Sequence, residues 1–347
     1  TLLDFKNFCP YKVSLDDFRE ARSHFETEEW MNILLGAIDY NPDGFMRKGW
    51  IDRDVWRAKH TMLTRLLPFI QPRVNLIELA PQQTGKSYIF GKISKYGWLL
   101  TGGQVSRTML FLDRRSGARA KGLVTCNDFI AVDEIKSISF SNDQEMAGIL
   151  KGYMEDGYAT VGGTRVDGEA GIIFLGNIAY ENMDSDKDMI GEINPIFRDS
   201  ALLQRIHGFI PGHYVPSLSP NMYINDWALN SEYFTEIMHL LRSTSETMKY
   251  RGMVEELVDV SSATGNTSGR EKEAVFRLCT AYLKLFFPHA NSDLIHTLKF
   301  KQEFDRYCLT PAKTMQETVL KQMRFVNPGM FPDGNLGFST YTVRWDA

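Results

Sequence analysis

The chain has 347 residues, of which 43% are hydrophobic and 24% are charged. This balance is typical of a globular protein with room for two or three domains, and it excludes a wholly disordered or fibrous chain. The formal net charge of −4 excludes a protein that holds nucleic acid through its overall charge, so such a contact needs a local basic patch.

Targeting segments and cysteine spacing indicate where the protein works. No apolar run approaches the roughly 18 residues of a membrane-spanning helix, and no signal segment opens the chain. The four cysteines (9, 126, 279 and 308) lie far apart without zinc-site spacing, which favours buried thiols in a reducing compartment. We therefore predict a cytoplasmic protein with no membrane partner. Because the first residue is Thr1, we also expect it to be part of a longer polypeptide.

The first 70 residues are predicted to be helical. Ser14 is a suitable N-cap, since two aspartates follow it in the first turn, where the helix dipole favours acids. A second helix is predicted to begin near Thr27 and to end at the Asn-Pro-Asp-Gly turn of residues 41–44. A third amphipathic stretch covers residues 57–70.

The pattern changes after residue 70. Three short apolar runs, at residues 74–79, 129–132 and 171–175, are separated by helical stretches and predict a parallel sheet with helices on both faces. Helical patterns return from about residue 225, over residues 233–250, 271–287 and 309–325. We therefore predict an α/β protein with three parts, which are a helical segment at 1–70, an α/β core at 71–222 and a C-terminal helical lid and tail at 223–347.

The strongest local signal follows the first predicted strand. Residues 80–87 read Ala-Pro-Gln-Gln-Thr-Gly-Lys-Ser and match the phosphate-loop pattern GxxxxGK[ST], except that Ala80 replaces the first glycine. Such a loop wraps backbone N–H groups around phosphate oxygens and ends at a helix N-terminus. Lys86 is predicted to reach the β- and γ-phosphates of ATP, and Ser87 to hold Mg²⁺. The predicted cofactor-binding residues of the loop are Pro81, Gln82, Gln83, Thr84, Gly85, Lys86, Ser87 and Tyr88.

Polar side chains end the next two predicted strands. Residues 129–132 lead into Asp133 and Glu134, which we assign to the metal and to the attacking water respectively. The third run ends at Asn177. If these strands are neighbours, Asn177 lies beside the acids and orients the water or contacts the γ-phosphate; taken alone, an asparagine here is more often a turn former.

Three arginines are candidates for further phosphate contacts. In ring ATPases an arginine in this part of the chain reaches the nucleotide of the neighbouring subunit and neutralises charge on its γ-phosphate. Arg205 is our first candidate for this role and Arg198 the second, with a surface salt bridge as an equal alternative for each. Arg270, at the start of a predicted helix, is a candidate contact from the C-terminal helices, with a solvated arginine as the alternative.

Taken in order, these elements resemble those of the AAA+ superfamily, and more narrowly those of the Lon-like ATPases of BREX phage-defence systems, the BrxL family. The resemblance covers most of the chain. Its most specific part is the Arg-Ile-His-Gly-Phe-Ile-Pro-Gly stretch of residues 205–212. The other matching stretches are residues 30–42, 64–69, 75–79, 84–88, 102–104, 132–134, 153–157, 174–178 and 270–288.

The resemblance implies an AAA+ P-loop ATPase that forms homo-oligomeric rings, as a hexamer or as stacked rings. It also implies DNA threaded through or encircled by the ring, and other BREX components as partners. Ala80 stands where the family usually has glycine, which affects the expected rate of hydrolysis more than nucleotide binding. We expect neither the N-terminal domain nor the C-terminal Lon-like domain of the family to be complete in this chain. We find no Ser/Lys peptidase site, so protease activity is not carried over.

Two regions are candidate DNA contacts. Residues 157–166 predict a hairpin with glycines at its tip, which would project into a ring, and Arg165 is its candidate phosphate contact. Five cations in residues 107–121, among them Arg114 and Arg115, offer a second contact through counterion release. The alternatives are an ordinary surface hairpin and a solvated or inter-subunit face.

Three functions fit these features. The first, which we predict, is an ATP-driven ring motor that acts on DNA in phage defence. The second is a Lon-like unfoldase of polypeptides. The third is a nucleotide-gated scaffold that assembles on DNA with little hydrolysis, which Ala80 and the near-neutral charge favour.

Overall fold

The computed structural model describes residues 12–112, 121–261, 269–330 and 338–345. The α-helices within these residues are α1 (Leu15–Ser23), α2 (Thr27–Ala37), α3 (Asp52–Thr64), α4 (Leu67–Ile70), α5 (Lys86–Lys92), α6 (Arg107–Phe111), α7 (Leu123–Cys126), α8 (Asp143–Asp156), α9 (Ser200–Leu203), α10 (Ser231–Leu241), α11 (Thr244–Leu257), α12 (Gly269–Phe286), α13 (Leu298–Phe304) and α14 (Thr310–Val326). The strands are β1 (Leu76–Ala80), β2 (Gly97–Thr101), β3 (Gln104–Val105), β4 (Phe129–Asp133), β5 (Ser139–Phe140), β6 (Tyr158–Val161), β7 (Thr164–Asp167), β8 (Gly171–Asn177), β9 (Gly208–Ile210), β10 (Val258–Ser261) and β11 (Thr340–Val343).

A parallel sheet of five strands, in the order β2-β4-β8-β1-β9, lies at the centre of the fold. Helices pack on it, so the predicted α/β class with a flanked parallel sheet is confirmed. Strand β8 lies between β1 and β4, and its register places Asn177 opposite Ala80. Because all five strands run in one direction, their carboxyl ends meet at one edge of the sheet, where ligands of open α/β sheets bind.

Both faces of the sheet are buried except along the edge strand β2. Along β1, Leu76 belongs to the apolar cluster on one face and Ile77 to the cluster on the other. This follows from the alternation of side chains along a strand, and it explains why the strands of a parallel sheet read as continuous apolar runs. The strands are therefore held rigidly, and their carboxyl ends form a fixed base for polar side chains.

The N-terminal helices agree with the sequence pattern in most details. The hydroxyl of Ser14 accepts a hydrogen bond from the backbone N–H of Asp17 over 3.2 Å, which confirms the predicted N-cap of α1. Helix α2 begins at Thr27, as predicted. The third helix begins at Asp52 and not at residue 57. Its first turn carries the acids Asp52 and Asp54, which the helix dipole favours.

The C-terminal region differs from the prediction in two places. The helix predicted over residues 233–250 is two helices, α10 and α11, because Ser243 interrupts it and caps α11 through a hydrogen bond from the N–H of Glu246. Strands β10 and β11 form an antiparallel pair that joins two distant segments. The prediction of a wholly helical C-terminal region is therefore wrong at β10 and β11, and the lid remains a prediction.

The first and last parts of the chain share a core. The indole N–H of Trp30 donates to the carbonyl of Leu285 over 3.1 Å, and the guanidinium of Arg22 donates to the carbonyl of Phe286 over 2.8 Å. The contacts fasten α1 and α2 onto α12. The domain boundaries at residues 70 and 222 stay predictions.

Two further features bear on the predicted setting. Among the described cysteines, Cys279 and Cys308 are buried, but Cys126 is exposed, so the prediction of buried thiols is wrong for Cys126. Burial raises the pKa of the two buried thiols. In the described residues no helix is both long and apolar enough to span a membrane.

Candidate nucleotide-binding site

The predicted phosphate loop joins β1 to α5, so a strand and a helix N-terminus flank it as the pattern requires. Two of its residues have left-handed backbone conformations, with φ of 62° at Gln83 and 79° at Gly85. A β-carbon at position 85 would also lie 2.3 Å from the hydroxyl oxygen of Tyr40. Glycine is therefore required at position 85 for both conformation and space.

Ala80 does not disturb this loop. It is the last residue of β1, is fully buried, and has an extended backbone that does not need glycine. Its methyl group faces Gly212, where an added β-carbon would lie 2.4 Å from the β-carbon of Ala80. The alanine that replaces the first glycine of the motif therefore has room because residue 212 is a glycine. The expected effect of Ala80 on hydrolysis stays a prediction.

Lys86 lies in a nearly closed environment, with 6% of its surface exposed. Its Nζ atom donates to Oδ1 of Asn177 over 2.8 Å and to the carbonyl of Pro81 over 3.1 Å. Burial lowers the pKa of Lys86, and the charges of Glu78 and Asp133 partly oppose this shift. The loop lysine and Asn177 are therefore together at the carboxyl edge of the sheet, and β8, which carries Asn177, is the neighbour of β4, which carries Asp133.

Ser87 and Asp133 also lie together at this edge. The hydroxyl of Ser87 donates to Oδ2 of Asp133 over 2.5 Å, and Oδ1 of Asp133 accepts from the backbone N–H of Glu134 over 2.8 Å. Mg²⁺ prefers oxygen ligands and is commonly bound by one or two protein side chains together with phosphates and waters. The Ser87 hydroxyl and the Asp133 carboxylate fit that requirement. In the described residues no group of three or more His, Cys, Asp and Glu side chains suits a metal, so these two would need phosphate and water to complete the ligand set.

Glu134 has an unusual backbone. Its φ is 55°, in the left-handed region that a non-glycine residue adopts at a cost, and such strain is found preferentially at functional sites. The side chain is exposed, and a β-carbon at Gly102 would lie 3.2 Å from Oε2 of Glu134. The carboxylate therefore extends from the tip of β4 towards the end of β2, where it is accessible to water.

Arg65 and Glu78 also contact the phosphate loop or its strand, although no sequence motif indicated a role for them. Both are fully buried, and the guanidinium of Arg65 donates to both carboxylate oxygens of Glu78, over 3.0 and 2.6 Å. It also donates to the carbonyl of Thr84 in the phosphate loop over 2.7 Å. One signal was available, because an acid inside an apolar strand needs a buried partner. The identity of the partner was not readable from the sequence.

Arg205 and Arg270 lie at the opposite, amino edge of the sheet. Arg205 precedes β9, and its Nε atom lies 3.0 Å from Oε2 of Glu155. The Nε atom of Arg270 lies 3.0 Å from the same oxygen. A five-residue strand is roughly 17 Å long, so neither arginine reaches the phosphate loop of its own chain. The predicted contact of Arg270 with nucleotide therefore stays a prediction, as do contacts of either arginine with a neighbouring subunit.

Arg198 is the more accessible of the two candidates for an arginine finger. Its side chain is 52% exposed and pairs with Asp188 over 3.1 Å. The side chain of Arg205 is 16% exposed, and it also donates to the carbonyl of Lys151 over 2.9 Å. Arg205 is therefore held inside its own chain in this conformation, whereas Arg198 is free to turn outwards.

The predicted hairpin is present as β6 and β7. Its two-residue turn has positive φ at Gly162 and Gly163, 56° and 79°, which matches the twist of a tight hairpin. The side chain of Arg165 is 62% exposed, pairs with Asp167 over 2.8 Å, and lies 3.9 Å from the ring centroid of Tyr158. The guanidinium of Arg165 therefore lies over the ring of Tyr158 on the hairpin.

Two of the predicted DNA contacts, Arg114 and Arg115, lie outside the described residues. Arg107, in the same basic cluster, forms an ion pair with Glu145. His207 has a structural contact, because its Nδ1 atom accepts a hydrogen bond from the N–H of Asn75 over 2.8 Å in a buried setting. This contact gives His207 a structural role.

Comparison with known proteins assigns the family. A family model described as "Lon-like protease BrxL-like, ATPase domain" matches residues 1–337. The chain belongs to this family. The predicted BrxL membership is therefore confirmed, and the phosphate loop, Asp133 and Asn177 lie within a BrxL-like ATPase domain.

Two curated relatives, both named Lon-like protease BrxL, resemble the chain. The protein of Escherichia coli O9:H4 (strain HS) is 28% identical over 341 residues, which cover 97% of this chain and 45% of the relative. The protein of Bacillus cereus (strain H3081.97) is 27% identical over 318 residues, which cover 89% of this chain and 43% of the relative. The chain thus spans somewhat less than half the length of the relatives.

Proposed function

We propose that the chain binds and hydrolyses ATP, as the ATPase domain of a ring of identical subunits that acts on DNA in a BREX-type phage-defence system. The observation that carries the ATPase proposal is the meeting of Lys86, Asn177, Ser87 and Asp133 at one edge of the sheet. These four residues come from three separate segments, and their convergence is what phosphoryl transfer from a nucleotide requires.

Lys86 is suited to bind a phosphate. Its present partners are the neutral oxygens of Asn177 and Pro81, in a buried setting that lowers its pKa. A phosphate offers full negative charge, so it is a stronger partner for a desolvated ammonium group than either neutral oxygen. Ser87 and Asp133 would hold Mg²⁺, which when bound supplies positive charge to the phosphates.

Glu134 is suited to polarise the attacking water. Its carboxylate is exposed and held at a strained turn directly after the metal residue, so it can accept a proton from a water beside the γ-phosphate. Asn177 lies between this strand and the phosphate loop and can orient the water or contact the same phosphate. In this proposal nucleotide binding depends on Lys86 and the chemical step on Glu134.

Two variants test this separation. Lys86→Ala should abolish ATP binding, and Glu134→Gln should bind ATP but stall hydrolysis. Matched controls are Lys92→Ala, an exposed lysine on the same helix α5, and Glu232→Gln, an exposed acid on helix α10; both should behave like the parent. Hydrolysis at the parental rate by both Lys86→Ala and Glu134→Gln would refute the site assignment.

Action on DNA is supported by the β6–β7 hairpin, which displays Arg165 beside Tyr158. Phosphate contacts release counterions, so binding of a DNA duplex should weaken steeply as salt increases. Stimulation of ATP hydrolysis by the duplex at low salt supports a DNA motor. DNA binding and nucleotide-dependent assembly with negligible turnover would favour a scaffold instead.

A polypeptide substrate is a second candidate, which the name of the two relatives, Lon-like protease BrxL, supports. ATP-dependent unfolding of a tagged protein, without stimulation by DNA, would select this function. The same ATP site serves both candidates, so Lys86→Ala should remove either activity.

A further inference from the structure

Glu78 is an acid inside an otherwise apolar strand. Its neighbours in β1 are Leu76, Ile77, Leu79 and Ala80, and its side chain has no exposed surface. A buried carboxylate is costly unless a partner compensates its charge and fills its hydrogen-bonding positions. The phosphate-loop pattern does not require an acid at this place, so Glu78 needs an explanation of its own.

Arg65 provides the compensation from the N-terminal segment. It follows helix α3 directly, and its side chain also has no exposed surface. Its Nε and Nη2 atoms donate to the two oxygens of Glu78, over 3.0 and 2.6 Å. A guanidinium that engages both carboxylate oxygens has a fixed plane and direction. Only part of its donor set is used in this way; the other donors reach Thr84 of the phosphate loop and the sulfur of Met62.

Two further contacts of Arg65 hold Thr84. The Nη1 atom of Arg65 donates to the carbonyl oxygen of Thr84 over 2.7 Å, and Nη2 lies 3.3 Å from the hydroxyl oxygen of the same residue. The carbonyl of Thr84 and the N–H of Gly85 belong to one planar trans peptide, so they point in opposite directions. By fixing the carbonyl, Arg65 fixes the direction of the Gly85 N–H, a backbone donor of the loop.

We propose that Arg65 and Glu78 form a positioning pair that sets the conformation of the phosphate loop for nucleotide. The inference rests on the proposed function and adds to it, since it gives the N-terminal helical segment a part in nucleotide binding. Neither residue needs to touch the nucleotide. Glu78 holds Arg65, and Arg65 orients the peptide between Thr84 and Gly85.

The test separates this role from a simple contribution to stability. The double variant Arg65→Met/Glu78→Leu removes both charges and keeps similar volume, an exchange that leaves many buried ion pairs close to neutral in stability. We expect a folded chain whose Kd and KM for ATP rise by about tenfold or more, while kcat falls by a smaller factor. Arg65→Lys keeps the positive charge opposite Glu78 but loses the planar guanidinium that engages both carboxylate oxygens. It should show the same rise in Kd and KM for ATP.

The matched control is Arg277→Met/Glu273→Leu. In the parent, Arg277 pairs with Glu273 over 2.7 Å and donates to the backbone carbonyl of Arg73 over 3.2 Å, at the amino edge of the sheet. This pair also joins an arginine to an acid and to a backbone carbonyl, but it is partly exposed, lies within helix α12 and is away from the phosphate loop. The control should leave Kd and KM for ATP unchanged.

The measurements are circular dichroism for folding, binding of a fluorescent ATP analogue for Kd, and steady-state hydrolysis. Parental Kd and KM in folded Arg65→Met/Glu78→Leu would overturn the inference and leave the proposed function standing. If that variant does not fold, Arg65→Lys decides by the same criterion. Absence of nucleotide binding by the parent chain would overturn the proposed function and the inference together.

Discussion

Nζ of Lys86 lies 2.8 Å from Oδ1 of Asn177, and this hydrogen bond joins the phosphate loop to the tip of β8. The register of the sheet produces it, because Asn177 is paired with Ala80, the residue at which the loop begins. The lysine therefore has a partner inside the chain that a phosphate must replace or share. Substitutions of Asn177 can distinguish its contribution from that of Lys86.

Asn177→Ala should keep nucleotide binding and lose turnover. Removing the amide frees Lys86 for phosphate, so we expect Kd for ATP to stay within about threefold while kcat falls about 10- to 100-fold through loss of an oriented polar group. Asn177→Asp should instead weaken binding, because a carboxylate would compete with phosphate for Lys86. Asn225→Ala, an exposed asparagine, is the control. Unchanged kcat in Asn177→Ala would contradict the role of Asn177.

Arg198→Ala should reduce turnover by about 10³-fold, the typical contribution of an arginine finger, with little change in ATP binding or thermal midpoint. Its exposed guanidinium contributes little to stability inside the chain. Mixing Arg198→Ala with Lys86→Ala subunits should recover part of the activity, since each supplies what the other lacks at a shared interface. The same mixture with Arg205→Ala compares the two candidates. No recovery with either, where rings form, would argue against a finger in trans.

Gly212→Ala should destabilise the fold by about 1–3 kcal/mol through overpacking. The added β-carbon would lie 2.4 Å from that of Ala80 and 2.6 Å from Oε1 of Glu78. Ala80→Gly in the same chain should recover part of the loss, because it removes one of the two contacts. Urea unfolding measures both. The control is Gly148→Ala in helix α8, where nothing lies within 4 Å and a gain in stability is expected.

Stability should decrease as pH falls below 6.5, in part through His60. Burial lowers the pKa of His60 from its ordinary 6.5 to about 4. Between these two pH values the unfolded chain binds a proton at this histidine that the folded chain does not. The free energy of unfolding therefore decreases by up to about 1.4 kcal/mol for each unit by which the pH is lowered. His60→Phe keeps a ring beside Phe286 and should show a smaller pH slope between pH 6.5 and 5 in urea titrations. Exposed His24→Phe is the control; equal slopes for His60→Phe and the parent would contradict the assignment.

Arg165→Ala should weaken binding of a DNA duplex without regard to its sequence. Loss of one phosphate contact should reduce the slope of log K against log salt by about 1. The ATPase rate without DNA should stay at the parental value, since the hairpin lies outside the nucleotide site. Arg53→Ala, an exposed arginine on α3, should keep the parental slope. An identical slope for Arg165→Ala and Arg53→Ala would exclude Arg165 as a phosphate contact.

Local patterns predicted much of the fold and those parts of the candidate site that lie close together in the sequence. The loop at 80–87, the acids after β4 and the glycine-tipped hairpin each lie within a few consecutive residues, so their geometry is encoded nearby. Strands β2 and β9 were missed for physical reasons. The first is a half-exposed edge strand without clear alternation, and the second has only three residues.

Long-range partners could not be predicted. Nothing near Glu78 indicates that Arg65, from the preceding helical segment, compensates it, and nothing near Arg205 indicates Glu155. A single charge in a sequence shows that a partner is required but not where the fold supplies it. The break between α10 and α11 was missed because the apolar pattern continues on both sides of Ser243.

Arg205 and Arg270 converge on the one carboxylate of Glu155. Glu155 therefore has two cationic partners, and either one can neutralise it. If Arg205 moved towards a neighbouring subunit, Arg270 would still neutralise Glu155. The carboxylate would not be left unpaired, so it would not attract Arg205 back. The free-energy cost of moving Arg205 outwards is therefore lower than for an arginine whose acidic partner has no second cation.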